Sequence, residues 1–136
     1  MHIVDFEVRD SELDAQGVVN NAYYFIYMVH ARHKYIAKLG IDFVEMAKQG
    51  QNLFLIASNL EFKQSLKSGE NFTVTSELVP EGKIKFAFKQ TIAKSDGSVV
   101  ATGHNICVCI DETNRRRPYL PELISKAITH NVDTLE

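Results

Sequence analysis

The sequence has no tryptophan, three prolines and two cysteines. It also has no run of about 18 apolar residues of the kind that crosses a bilayer as a helix. Each scarcity excludes something. Without a long apolar run, no membrane span is expected. The opening stretch MHIVDFEVRD has neither the basic start nor the apolar block of a secretory leader, so a cytoplasmic protein is expected. Cys107 and Cys109 form a C-x-C pair. On a strand both thiols point to one face. Two thiols do not complete a structural zinc site, and a disulfide between residues two apart is geometrically awkward. They read as small apolar fillers in a reducing compartment. Charge is nearly balanced at -2, so the total gives no electrostatic case for a nucleic-acid partner. Basic charge gathers only at Arg115, Arg116 and Arg117.

Common catalytic signatures are missing as well. There is no G-x-S-x-G, no G-x-x-x-x-G-K-[ST], no H-E-x-x-H and no G-x-G-x-x-G. His30 and His33 stand three apart, but no third ligand lies near them in sequence. No metal or redox cofactor is expected.

What is present suits one domain, residues 1–136, with ordinary globular composition: 45% hydrophobic and 24% charged. Val4, Phe6 and Val8 alternate with Asp5, Glu7 and Arg9, the period of a half-buried strand. Residues 10–21 break that pattern. From Ala22 to Leu39, apolar residues recur at three- and four-residue steps through Tyr24, Met28, Ala31, Tyr35 and Leu39, which predicts a helix. Phe25, Tyr27, Val29 and Ile36 widen the stripe until the helix must be buried nearly all round. Asn20 or Asn21 suits its start and Gly40 its end. A short helical piece over 42–48 follows.

After Gly50 the period changes to two. Four strands are predicted, over 52–66, 70–79, 83–92 and 98–110. In the first, Leu53, Leu55 and Ala57 share one face and Phe54, Ile56, Leu60 and Phe62 the other. In the third, Ile84, Phe86, Phe88 and Ile92 oppose Lys83, Lys85 and Lys89. The breaks at 67–70, 80–82 and 95–98 are hairpin-length, the last holding an Asp-Gly pair, so an antiparallel meander is expected. A short helix is predicted over 121–130. The class is α+β: a five-stranded antiparallel sheet wrapped around one long helix.

The chemistry-bearing stretch is LDAQGVVNNAYYF, 13–25. Asp14 precedes Gly17 by three residues in a loop that feeds the helix start. Helix starts carry unpaired N–H groups and partial positive charge. Such a site can polarise a carbonyl and hold the oxyanion formed on attack. A carboxylate beside it can attack directly or take a proton from water. Gly17 lets the loop double back. The bland alternative is a turn or capping role for Asp14, and Glu12 competes for the same task.

The stretch RDSELDAQGVVNNAYYFIYMVHAR, 9–32, resembles the signature region of hotdog-fold acyl thioesterases of the 4-hydroxybenzoyl-CoA thioesterase type. The likeness in strand order and length extends over nearly the whole chain. It implies a curved antiparallel sheet around one central helix and hydrolysis of an acyl-CoA or acyl-carrier-protein thioester. Carried over by position, Asp14 matches the nucleophile or general base, Gly17 the loop glycine, and Asn21 the backbone N–H that polarises the thioester carbonyl. Tyr24 matches a pocket tyrosine, and Arg32 the arginine of an Ala-Arg pair. Two departures stand out: Glu12 where an Asp is usual, and Val29 where many relatives have a glutamate.

The resemblance also implies a homodimer or homotetramer with sites between subunits. Ser58 and Asn59, which interrupt an apolar strand, would then face a partner's Asp14. Arg115, Arg116 and Arg117 follow the last strand, where the family often binds CoA phosphates, and guanidinium forks suit phosphate oxygens. CoA would arrive as part of the substrate. The alternatives are a hydratase of the same fold, whose Asp and His motif is missing here, and a non-catalytic acyl-thioester binder.

Overall fold

A computed structural model describes residues 1–113 and 117–135, with side chains of the last helix described up to residue 128. The elements are β1 (His2–Glu7), α1 (Asn21–Lys38), α2 (Phe43–Lys48), β2 (Gln51–Phe62), β3 (Asn71–Glu81), β4 (Lys85–Lys94), β5 (Val99–Asp111), β6 (Pro118–Tyr119) and α3 (Glu122–Leu135). The strands form one antiparallel sheet in the order β1-β3-β4-β5-β2, with β6 added on β5.

Helix α1 starts where Asn20 caps it, its side chain accepting from the Ala22 N–H at 3.0 Å. It ends at Leu39, and Gly40 follows with φ 84°, the left-handed turn that suits glycine. The helix buries Tyr24, Tyr27, Met28, Ala31, Arg32, Tyr35 and Ile36. The sheet meets them with alternate residues: Phe72, Val74, Ser76 and Leu78 from β3, and Phe86, Phe88, Gln90 and Ile92 from β4. Two core clusters lie along the helix. One gathers Tyr24, Tyr27 and Met28 with Phe72, Val74 and Ile92; the other gathers Tyr35 and Ile36 with Leu78, Phe86 and Phe88, closed by Ile124 of α3. Burying each such side chain contributes about 1.5–3 kcal/mol. Helix and sheet approach closely at Gly103, where a Cβ would stand 2.6 Å from the Met28 sulfur. Both cysteines are buried and unbridged.

Five sequence expectations need correction. The expected meander of four strands holds only for β3-β4-β5. β2 pairs with β5 at the far edge, and the 63–70 connection crosses under the start of α1. The predicted faces of β2 fail because a bulge between Leu55 and Ala57 shifts the alternation. After it, Ser58, Leu60 and Phe62 pair with Asn105, Gly103 and Ala101, on the side that Leu53 and Leu55 share with Cys109 and Cys107. Ile84 belongs to a turn and is exposed rather than lying on the inner face of β4. The sheet has six strands, not five, and the last helix is longer than predicted, 14 residues against 18 in α1.

Candidate functional site

Residues 10–20 form a tight hairpin-like loop. Leu13 bridges Val19, the Asp14 N–H donates to the Val18 carbonyl at 2.8 Å, and the Asn20 N–H donates to the Glu12 carbonyl at 2.9 Å. At the tip the Gly17 N–H donates back to the Asp14 carbonyl at 3.1 Å, with Gly17 at φ 80°. A Cβ on Gly17 would meet nothing within 4 Å, so backbone conformation alone requires the glycine. The crossing connection anchors this loop from below. The Val19 N–H donates to the Leu66 carbonyl at 2.8 Å, and Val18 bridges Lys67.

The two competing acids occupy different environments. Glu12 is 3% exposed and its carboxylate is fully engaged. It accepts from the Arg9 N–H at 2.9 Å, from the Tyr27 hydroxyl at 2.8 Å and from the Arg9 guanidinium at 3.3 Å. Burial and this hydrogen bond to Glu12 hold the Tyr27 phenol well above its ordinary pKa. Glu12 therefore pins the loop to α1. Asp14 is half-buried. Its Oδ1 accepts from the Gln16 N–H at 2.8 Å and the Val18 N–H at 3.4 Å, while Oδ2 has no hydrogen-bond partner among the described residues.

Asn21 opens α1 and is exposed. Its N–H is the first of the helix, and it has no partner among the described residues. Asp14 and Asn21 thus sit on opposite arms of one closed loop. A groove of about 570 Å³ is lined by Glu12, Tyr23, Ile26, Tyr27 and His30 among others, and neither Asp14 nor Asn21 is among its walls. Tyr24 is 2% exposed, and its hydroxyl accepts from the Leu66 N–H at 3.0 Å. It fastens α1 to the same crossing connection and takes no part in that groove.

Ser58 and Asn59 do not act as a pair. Ser58 turns to the helix side and donates to the Asn105 side chain. Asn59 turns to the other side, where it lines a hollow of about 350 Å³ with Glu61, Lys89 and His104. Arg117 is exposed, and Arg115 and Arg116 lie outside the described residues. Among the described residues no cluster of three His, Cys, Asp or Glu could hold a metal ion. No described helix is long and apolar enough to cross a membrane.

Sequence reasoning missed the Glu12–Tyr27 bond and the buried polar group of Arg32, Gln90 and Asn105. The signal for the second was present: Gln90 and Asn105 fall on the apolar parity of their strands.

An antiparallel sheet packed against a buried helix is the fold implied by the resemblance of residues 9–32 to hotdog thioesterases. The model of the thioesterase-like superfamily matches residues 8–128, and the chain belongs to that family. Over 131 residues it is 33% identical to the chloroplastic acyl-acyl carrier protein thioesterase ATL3 of Arabidopsis thaliana, covering 95% of this chain and 68% of that protein. A second chloroplastic acyl-acyl carrier protein thioesterase of that plant, ATL2, is 36% identical over 68% of this chain, which spans half of its length. Among solved structures, a DHNA-CoA thioesterase from Staphylococcus aureus superposes with a TM-score of 0.81 at 26% identity, covering 98% of this chain and 91% of that one.

Proposed function

We propose that this chain, as one hotdog domain over 1–136 with the sheet wrapped around α1 as its central helix, hydrolyses the thioester of an acyl group carried on CoA or acyl carrier protein. Water oxygen, or the Asp14 carboxylate followed by water, adds to the carbonyl carbon. The C–S bond then breaks, releasing a free acid and a thiol that takes up the proton. The Asn21 N–H and the positive end of α1 receive the oxyanion. Gly17 holds the turn that keeps acid and amide on one loop. The observation that carries this reading is a carboxylate oxygen and a helix-start N–H on the two arms of one hairpin, neither partnered among the described residues.

The reaction needs no metal or redox cofactor, since CoA comes with the substrate. Tyr24 backs the acyl site through its hold on the crossing connection. Arg117, with Arg115 and Arg116, takes CoA phosphates. The working form is a homodimer or homotetramer in the cytoplasm. Edge strand β2 supports this, because Phe54, Leu55 and Ile56 are 39–49% exposed along it. Ser58 and Asn59 of that strand would then stand beside a partner's loop.

A thiol-release screen tests the reading, using short, long and aromatic acyl-CoAs beside acyl-carrier-protein thioesters. Free thiol from at least one class is expected. Tight binding of thioesters that stay intact would make the protein an acyl-thioester binder instead.

A further inference from the structure

The far half of α1 carries a cation whose environment the hydrolytic site does not explain. Arg32 is 6% exposed. It lies eleven residues after Asn21, roughly 16 Å further along the helix axis. A guanidinium presents five N–H groups. Here Nη1 donates to the Gln90 Oε1 at 3.0 Å, and no other acceptor reaches the group among the described residues. The guanidinium carbon also stands 5.7 Å from the centre of the Phe25 ring.

Neither of two ionisable neighbours, Cys107 and His33, neutralises it. Burial pushes the Cys107 thiol up to about 11 despite Arg32 beside it, so the sulfur stays protonated. Burial together with the charges of Arg32 and His30 lowers the His33 imidazole, which therefore stays neutral near pH 7. A buried cation with no counter-charge among the described residues is costly. The same arginine lines a cavity of about 330 Å³ whose walls include Ile36, Phe43, Leu53, Phe86 and Phe88. That volume falls at the lower end of small-molecule sites.

Gln90 does not depend on Arg32 for its own satisfaction. Its Oε1 also accepts from the Asn105 amide at 2.9 Å, and its Nε2 donates to the Met28 carbonyl at 3.0 Å and to Ser76 at 2.9 Å. The polar group is closed without the guanidinium, which leaves most of that group's donors for something else.

We propose that this cavity is a second subsite that binds the carboxylate of a small apolar acid, with Arg32 as its anchor. The apolar body of the ligand lies against Phe86, Phe88 and Leu53, and the carboxylate takes the guanidinium fork. Two sources supply such a group: the released free acid, and a distal carboxylate on the acyl chain of a thioester. Only these sources rest on the hydrolase reading; binding of the acid does not.

The test is calorimetric titration of the full-length protein with octanoate and benzoate, beside octanamide and benzamide. Each acid is expected to bind at least tenfold more tightly than its amide. Arg32→Met is expected to weaken octanoate at least tenfold, and Leu53→Trp, which fills the cavity and keeps the cation, to weaken it similarly. Asp14→Asn is expected to bind octanoate like the wild type, so loss of hydrolysis and loss of this site are read apart. Equal binding of acid and amide overturns the proposal, as does octanoate binding retained in both cavity variants. If Arg32→Met fails to fold, Leu53→Trp decides alone. An Arg32-dependent preference for ω-carboxyacyl-CoA over the plain ester assigns the substrate as the source. Inhibition of the wild type by octanoate without that preference assigns the product, and the lack of both overturns the role in this reaction.

Discussion

Tyr27 donates its hydroxyl hydrogen to the Glu12 carboxylate at 2.8 Å, and both residues are 3% exposed. This buried bond joins α1 to the loop that carries Asp14. Glu12 spends its second oxygen on Arg9 and its backbone carbonyl on Asn20, the helix cap. One residue therefore fixes the incoming arm of the loop, the outgoing arm and the helix wall between them. The acid two residues later keeps one oxygen without a hydrogen-bond partner among the described residues.

Tyr27→Phe removes the hydroxyl and leaves a buried carboxylate oxygen one donor short. A loss of about 1–3 kcal/mol in unfolding free energy is expected, measured by urea denaturation. Turnover is expected to fall by more than KM rises, because the loop loosens without losing a substrate contact. Wild-type stability and turnover would show that the bond does not hold the loop.

Gly103→Ala tests the packing of α1 on the sheet. The new methyl would stand 2.6 Å from the Met28 sulfur and 2.9 Å from a Leu60 methyl. Overpacking of this kind costs about 1–3 kcal/mol. Combined with Met28→Ala, the loss should be less than the sum of the two single losses, since the shortened side chain makes room. Strict additivity would mean that the two residues do not meet.

The pH dependence of stability has one identifiable contributor in His2. Its ring stacks on Tyr35 with centroids 5.4 Å apart, and its Nδ1 is buried without a partner among the described residues. Burial, then Lys38, then the N-terminal ammonium lower its pKa in the folded state. The unfolded chain binds this proton more readily, so the contribution is present above the ordinary histidine pKa of about 6.5 and is lost as pH falls through it. The drop in melting temperature between pH 7.5 and 5.5 should be smaller in His2→Phe. An identical drop would show that His2 does not contribute to the pH dependence.

Leu55→Lys with Ile56→Lys places two charges on the exposed edge strand, which the proposed assembly needs. Sedimentation should show the wild type as a dimer or tetramer and the double variant as a monomer with little activity. A monomeric wild type, or a fully active monomeric variant, would contradict the shared site.

The core was legible from the sequence because its signal is periodic. The steps from Tyr24 to Leu39 predict α1 to within a residue at each end, as Asn21–Lys38. The Asp-Gly pair predicts the turn between β4 and β5, where the Gly97 N–H donates to the Lys94 carbonyl. The position of β2 was not legible. Local turn residues at 67–70 look like a hairpin and do close a turn, with the Glu70 N–H donating to the Lys67 carbonyl, yet Gly69 and Glu70 exchange backbone hydrogen bonds with Val8, and β2 and β3 on either side do not pair. The bulge at Ile56 was hidden for a similar reason: an extra residue in an apolar run leaves no mark on composition, yet it reverses every face after it. At the site, Asp14, Gly17 and Asn21 stood out as a local pattern, while Glu12 found its partner 15 residues away on the helix, beyond what spacing reveals.

On the proposed reading, the Asp14 carboxylate drives thioester cleavage from its place on the loop. The most direct measurement is single-turnover thiol release by Asp14→Asn beside the wild type, on the best substrate of the screen, with binding followed separately. The expected rate is lower by a factor of about 100 or more, with substrate affinity within about threefold. Release at the wild-type rate would contradict it and move the chemistry to another residue.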